Sequence, residues 1–288
     1  MQSWQLQQRQ SLPLEAKVPL SERLIRAYYN YYNGQVYVAF SGGKDSTVLL
    51  HLVRSIFPHV VAVFCDTGLE YPEIRDFVRT VENVVWIKPK LNFRQVIKKY
   101  GYPVVSKEQA SFIYEYRTTA SDKLKDIRWN GKNGKYKISE KWKHLVDAPF
   151  KISDKCCDFM KKEPFKRFEK ESGMAPILGN MASDSNQRKG QYLRHGCNAF
   201  DLKRPRSMPL SFWLEEDIWE YIHRSQVPYS DIYNLGYTRT GCMFCLFGYH
   251  LDGEETRFDR MKRTHPSQYR YCMEILGLKD VIPWLEKW

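Results

Sequence analysis

Seven consecutive residues, Ser41-Gly42-Gly43-Lys44-Asp45-Ser46-Thr47, concentrate the side chains needed to hold phosphate. The glycines let backbone N–H groups approach an oxygen with no Cβ in the way. Lys44 adds a compact positive charge, and Ser41, Ser46 and Thr47 add hydroxyl donors. Asp45 reads two ways, as a ligand for a cation accompanying bound phosphate or as a first-turn acid stabilising a helix N-terminus. The spacing is not that of a Walker A loop, which needs a longer G-x-x-x-x-G run before its lysine. A second turn, Asp66-Thr67-Gly68, has the composition of a strand exit, where open α/β sheets bind their ligands.

Four of the seven cysteines fall in two close pairs, Cys156-Cys157 and Cys242-Met243-Phe244-Cys245. Thiolates converging from separate segments are what a four-cysteine metal site requires. Adjacent cysteines tend to point apart, which suits a [4Fe–4S] cluster, with one thiolate per iron, better than one tetrahedral zinc ion. Zinc is the alternative. Cys65 and Cys272 lie in apolar runs and read as small core residues. Cys197 sits in the polar stretch His195-Gly196-Cys197-Asn198 and is the candidate reactive thiol, an inert loop cysteine being the equal reading.

The elements that must position these groups alternate. A helix is expected from Ser21, its N-cap, to Asn33-Gly34; strands at residues 36–40, 60–65, 84–87 and 176–181; helices at 47–56 and around Ile74 and Phe77. The continuous apolar runs suit strands buried on both faces. This order predicts an α/β fold with an open, mostly parallel twisted sheet and helices on both faces. Three consecutive segments are expected: an N-terminal helical segment (1–34), a nucleotide-binding α/β domain (35–210) with a basic insertion (106–164), and a helical C-terminal segment (211–288) carrying the CxxC. Within the insertion, Asn130-Gly131-Lys132-Asn133-Gly134-Lys135 reads as a hairpin or mobile loop, and the insertion is expected over the active face.

In its strand–turn–helix setting the heptapeptide resembles the PP-loop of ATP pyrophosphatases. The resemblance implies attack of a substrate oxygen on the α-phosphate of ATP, with pyrophosphate leaving against the loop N–H groups, Lys44 and Mg²⁺. It also implies adenosine near Asp66-Thr67-Gly68. Cys156-Cys157 with Lys161-Lys162-Glu163-Pro164, and the later CxxC, resemble the cluster-binding pattern of adenylyl-sulfate reductases in the phosphoadenylyl-sulfate (PAPS) reductase family. Gly179-Asn180-Met181-Ala182 with Ser185 and Arg188 resembles that family's post-strand sulfonucleotide segment. Pro209-Leu210-Ser211-Phe212-Trp213, Pro228-Tyr229 and Gly236-Tyr237 resemble the stretch leading to Gly241-Cys242. The likeness runs over about residues 36–245. Two departures stand out. The dedicated reductases usually carry a PP-loop without its lysine, and they need a C-terminal cysteine in a Cys-Gly context, which this chain lacks. The resemblance therefore implies an ATP-dependent adenylyl-transfer enzyme in which a cluster holds or delivers sulfur, as in PP-loop sulfurtransferases that modify tRNA or DNA. The alternatives are a reductase using a thioredoxin-like reductant to make sulfite, and a nucleotide-sensing regulator without turnover.

A net charge of +12 favours polyanionic partners, ATP or a sulfonucleotide and a nucleic acid, or else reflects a lysine-rich solvated surface. Arg188 leads a basic group, with Lys189, Arg194, Lys203, Arg204 and Arg206, able to clamp phosphate or sulfate oxygens. Lysines interleaved with Trp129, Tyr136 and Trp142 have the composition of a single-stranded nucleic-acid platform. No apolar run approaches a spanning length and the first ten residues lack a signal-like stretch, so a cytoplasmic protein without membrane contact is expected.

Overall fold

The computed structural model describes residues 2–287. Eight short strands form among them: β1 (Val36–Ala39), β2 (Val61–Cys65), β3 (Val84–Ile87), β4 (Val104–Val105), β5 (Ala175–Leu178), β6 (Asn198–Ala199), β7 (Arg206–Ser207) and β8 (Leu246–Phe247). The chain divides into two compact units, each discontinuous in sequence. The first takes the chain up to Asp66, then Glu70–Lys88 and Phe165–Thr240; the second takes Thr67–Leu69, Pro89–Pro164 and the chain from Gly241 onward. This division cuts across the three consecutive segments read from the sequence. Among the described residues no helix is long and apolar enough to cross a membrane.

The first unit holds a six-stranded sheet in the order β3-β2-β1-β5-β7-β6. Every pairing is parallel except β6 with β7. Central β1 sets the register, Tyr37 standing opposite both Val61 and Pro176. Successive residues Val36, Tyr37 and Val38 point to opposite faces and all are buried, so both faces of the sheet are covered. The α/β, mostly parallel architecture is the one expected.

One helix departs from the sequence reading. It runs over Leu14–Tyr31 with Pro19 inside it, so Ser21 is not its N-cap. Ser21 is buried mid-helix, donating to Pro209 O (2.9 Å) and accepting from Trp213 Nε1 (2.9 Å). One turn earlier Lys17 Nζ lies 2.6 Å from Asp217 Oδ2. That buried ion pair ties the helix to another at Glu215–Arg224.

The second unit is mainly helical around the parallel pair β4 and β8, with Val104 opposite Leu246. The basic insertion is folded. Helices Lys107–Thr118 and Asp122–Asn130 are N-capped by Ser106 and Ser121, which accept from Gln109 N and Leu124 N. Residues 130–135 make a tight turn closed by reciprocal backbone bonds between Lys132 and Lys135 (2.9 and 3.1 Å).

Candidate functional site

Between β1 and the helix Lys44–Ile56 the chain turns sharply, with Gly42 at φ +73°. A Cβ there would lie 2.8 Å from Val78 Cγ2 and 2.9 Å from Ile74 Cγ2, so both the backbone conformation and the space demand glycine. Ser46 organises the turn. Its Oγ accepts from Ser41 N (3.1 Å), lies 3.0 Å from Ser41 Oγ and donates to Gly43 O (2.9 Å). Thr47 Oγ1 also donates to Gly43 O (3.1 Å). The hydroxyls read from sequence as phosphate donors are therefore engaged in shaping the loop.

Lys44 is buried, its Nζ 3.3 Å from Asp45 Oδ1 and 3.3 Å from Glu215 Oε1. Burial alone would lower the pKa of the ammonium, but Asp45, Tyr233 and Glu215 outweigh it and hold it above the ordinary lysine value. For Asp45, burial pushes the carboxyl up, Lys44 opposes, and the nearby charges of Asp184 and Glu215 add to the rise. Asp45 Oδ1 is buried, with the Lys44 ammonium facing it at 3.3 Å. Asp184 accepts from Met181 N (2.9 Å) and is ion-paired to Arg188, which places Arg188 in the same acidic neighbourhood. Gly179, leaving β5, comes so close to this helix start that a Cβ on it would lie 3.1 Å from Asp45 O.

Other expected residues are placed as follows. Asp66, at the exit of β2, is buried and bonded to Arg75 (3.0 Å). Thr67 and Gly68 belong to the second unit, where Thr67 Oγ1 accepts from Leu69 N (3.2 Å). Cys197 is not an exposed thiol in a polar loop: it is 5% exposed, and burial pushes its pKa up to about 12, the environment of an inert cysteine. Arg204 is no open phosphate clamp either, because Glu169 takes its Nε and Nη2 at 2.6 Å each. Sequence reasoning missed Asp184, Glu215, Tyr233 and Thr240. Glu215 alone carried a local signal, an acid near the start of the expected helical C-terminal segment (211–288).

In the second unit, Cys156, Cys157, Cys242 and Cys245 line one pocket with Leu69, Phe93, Pro103, Met160 and Lys161. Cys156 Sγ donates to Cys157 Sγ across 3.9 Å. That bond pushes Cys156 up and brings Cys157 down to about 6, where Lys107, Lys161 and Lys162 add to the lowering against burial. Burial and Cys242 push Cys245 up to about 12. Arg257 braces the CxxC loop, donating to Cys245 O (3.1 Å) and Phe247 O (3.0 Å) while its Nε and Nη2 hold Asp252. Met243 N anchors the same loop to Leu69 O (2.8 Å). None of the seven cysteines forms a disulfide. Among the described residues no three His, Cys, Asp or Glu side chains stand close enough to hold one metal ion. A donor set of four thiols in an apolar pocket nevertheless fits a [4Fe–4S] cluster, whose ligands serve separate irons and need not meet around one centre.

Cys272 lies on a π-helical turn, Tyr271–Ile275, fully buried, with its thiol bonded to Tyr269 O (3.2 Å) and pushed up to about 12 by burial. It is a core residue, as its apolar run suggested.

The phosphoadenosine phosphosulfate reductase domain matches residues 35–128 and 84–246. An uncharacterized protein of Methanocaldococcus jannaschii is 28% identical over 77% of this chain, which spans only 38% of that relative's length. An adenosine 5'-phosphosulfate reductase of a Geobacillus strain is 24% identical over 85% of this chain and 86% of its own. Among solved structures, the phosphate complex of phosphoadenylyl-sulfate reductase from Candida auris has a TM-score of 0.47 and 17% identity, over 84% of this chain and 96% of that one.

Proposed function

Because this chain belongs to the phosphoadenosine phosphosulfate reductase family, we propose that it uses the family's nucleotide site on ATP, cleaving it to adenylate and pyrophosphate during sulfur transfer. The observation that carries the reading is Lys44, a buried ammonium held charged at a helix N-terminus beside two carboxylates. A sulfonucleotide ends at one singly charged sulfate on its α-phosphate, whereas ATP brings the more highly charged β- and γ-phosphates to such an ammonium.

In this mechanism the loop N–H groups and Lys44 bind the two terminal phosphates. Asp45, whose buried Oδ1 faces Lys44 Nζ at 3.3 Å, is the carboxylate that would meet the Mg²⁺ entering with ATP. An acceptor oxygen attacks the α-phosphorus and loses its proton; the bond between the α-phosphorus and the α–β bridging oxygen breaks; Lys44 stabilises the charge on departing pyrophosphate. A sulfur nucleophile then displaces AMP from the adenylated acceptor. A [4Fe–4S] cluster held by Cys156, Cys157, Cys242 and Cys245 would supply a place to hold or deliver that sulfur. The second unit carries 25 lysines and arginines against 16 aspartates and glutamates, nine of the twelve net positive charges, which supports tRNA or DNA as acceptor.

The match to an adenosine 5'-phosphosulfate reductase over 86% of that protein's length favours a second reading, thiol-dependent reduction of a sulfonucleotide to sulfite with a thioredoxin-like partner. Its nucleophile would have to be a cysteine outside the four-thiol pocket, and Cys65, Cys197 and Cys272 are all buried. The experiment that separates the two uses anaerobically purified protein. Incubation with Mg·ATP and bulk tRNA or DNA is expected to release pyrophosphate, and incubation with adenylyl sulfate plus reduced thioredoxin to release no sulfite. Sulfite without pyrophosphate would reverse the assignment.

A further inference from the structure

The first N–H groups of a helix have no partner within it, and in a phosphate loop they are the donors that meet the anion. Here one is already taken. Lys44 N–H donates to Tyr233 Oη at 2.7 Å, from 189 residues away in sequence, and Gly43, the N-cap, supplies no side-chain acceptor of its own. Tyr233 Oη lies 3.3 Å from Thr240 Oγ1. The two hydroxyls roof the loop so closely that a Cβ on Gly43 would lie 2.6 Å from Thr240 Oγ1 and 3.3 Å from Tyr233 Oη. The Tyr233 ring stands edge-on to Trp219 (5.4 Å, 89°), and Lys44 Nζ lies 5.8 Å from its centroid. Meanwhile Glu215 and Asp45 hold the Lys44 ammonium.

Resting on the reading of this loop as a phosphate site, we infer that Tyr233 and Thr240 form a built-in plug that occupies the anion position until a polyphosphate displaces it. The Tyr233 hydroxyl stands in for a phosphate oxygen on Lys44 N–H, and Glu215 stands in for phosphate charge on Lys44 Nζ. Burial pushes the Tyr233 phenol up, so it stays neutral. A neutral oxygen is a weaker acceptor than a phosphate oxygen, whose charge-assisted bonds are roughly twice as strong. The plug therefore yields to anions and resists neutral groups. It gives the site a resting state in which Lys44 N–H is already satisfied, at the expense of nucleotide affinity. Tyr233 is in this account a positioning residue: it acts on the nucleotide by competing for the loop.

The test compares wild type, Tyr233→Phe and Lys44→Met in two measurements. Without ligand, hydrogen exchange at the Lys44 amide is expected to be slow in wild type and faster in Tyr233→Phe, which keeps the ring and loses the acceptor. With inorganic pyrophosphate as the calorimetric probe, Tyr233→Phe is expected to bind about two- to tenfold more tightly, the value of one neutral hydrogen bond no longer broken on binding. Weaker binding would make Tyr233 a ligand contact, and equal binding with unchanged exchange would show that its hydroxyl does not compete; either overturns the plug. Lys44→Met separates this from the underlying reading. If it leaves pyrophosphate binding intact, or if wild type binds none, the phosphate site itself is wrong and the plug falls with it.

Discussion

Replacing Lys44 by Met removes the ammonium while keeping most of the side-chain volume at a buried position. The loss on ATP can be worked from the site. A hydrogen bond to a charged group contributes about 1.5–3 kcal/mol. At about 1.4 kcal/mol per tenfold, Kd for ATP should rise about 12- to 140-fold. The upper half of that range is expected, because Asp45 and Glu215, each 3.3 Å from Nζ, lose the cation that offsets their repulsion of phosphate. AMP has no β- or γ-phosphate, so its Kd should change by less than about threefold, within the spread of surface effects. Isothermal titration with ATP, AMP and pyrophosphate reads the difference directly, and a denaturation curve shows whether the variant is folded. Equal weakening of ATP and AMP, or no change in either, would refute the assignment of Lys44 to the terminal phosphates.

Mg·ATP binding should fall as pH drops through a value above the ordinary carboxylate range. Asp45 is held up by burial and by Asp184 and Glu215, and only its ionised form ligates Mg²⁺; Asp45→Asn should bind Mg²⁺ more weakly and lose this acid limb in a pH titration. Arg257→Met should lower the iron and acid-labile sulfide retained per chain several-fold after anaerobic gel filtration, because Cys245 O and Phe247 O lose their shared donor. Unchanged cluster content would show that the brace is dispensable. Lys17→Met should destabilise the protein by about 3–5 kcal/mol in denaturant titration by leaving buried Asp217 without its cation. The double variant with Asp217→Leu should recover much of that loss.

The sheet was legible because its strands are short, continuous apolar runs. Those expected at residues 60–65, 84–87 and 176–181 appear as Val61–Cys65, Val84–Ile87 and Ala175–Leu178. The sharp turn between β1 and the helix Lys44–Ile56 was legible because its pattern is local, seven residues between a strand and a helix. The start of the Leu14 helix was hidden by Pro19, which looks like a breaker, while Ser21 mimics a cap although its hydroxyl serves contacts nearly 190 residues away. In the insertion, lysine density masked two helices whose serine caps were present in the sequence. Tyr233 and Thr240 could not be read at all, since nothing in Asp231-Ile232-Tyr233 points to an amide at Lys44. Cys197 misled for the opposite reason. Polar neighbours suggested exposure, yet backbone pairing with Met208 draws it into the interior.

The central claim, that this family member works on ATP, is tested most directly by measuring the affinities of ATP and adenylyl sulfate for the same anaerobic preparation in the presence of Mg²⁺. The account predicts that ATP binds at least tenfold more tightly, a preference carried by Lys44 at about 1.4 kcal/mol or more, and that Lys44→Met erases it. Tighter binding of adenylyl sulfate, unaffected by Lys44→Met, would contradict the account and return the chain to sulfonucleotide chemistry.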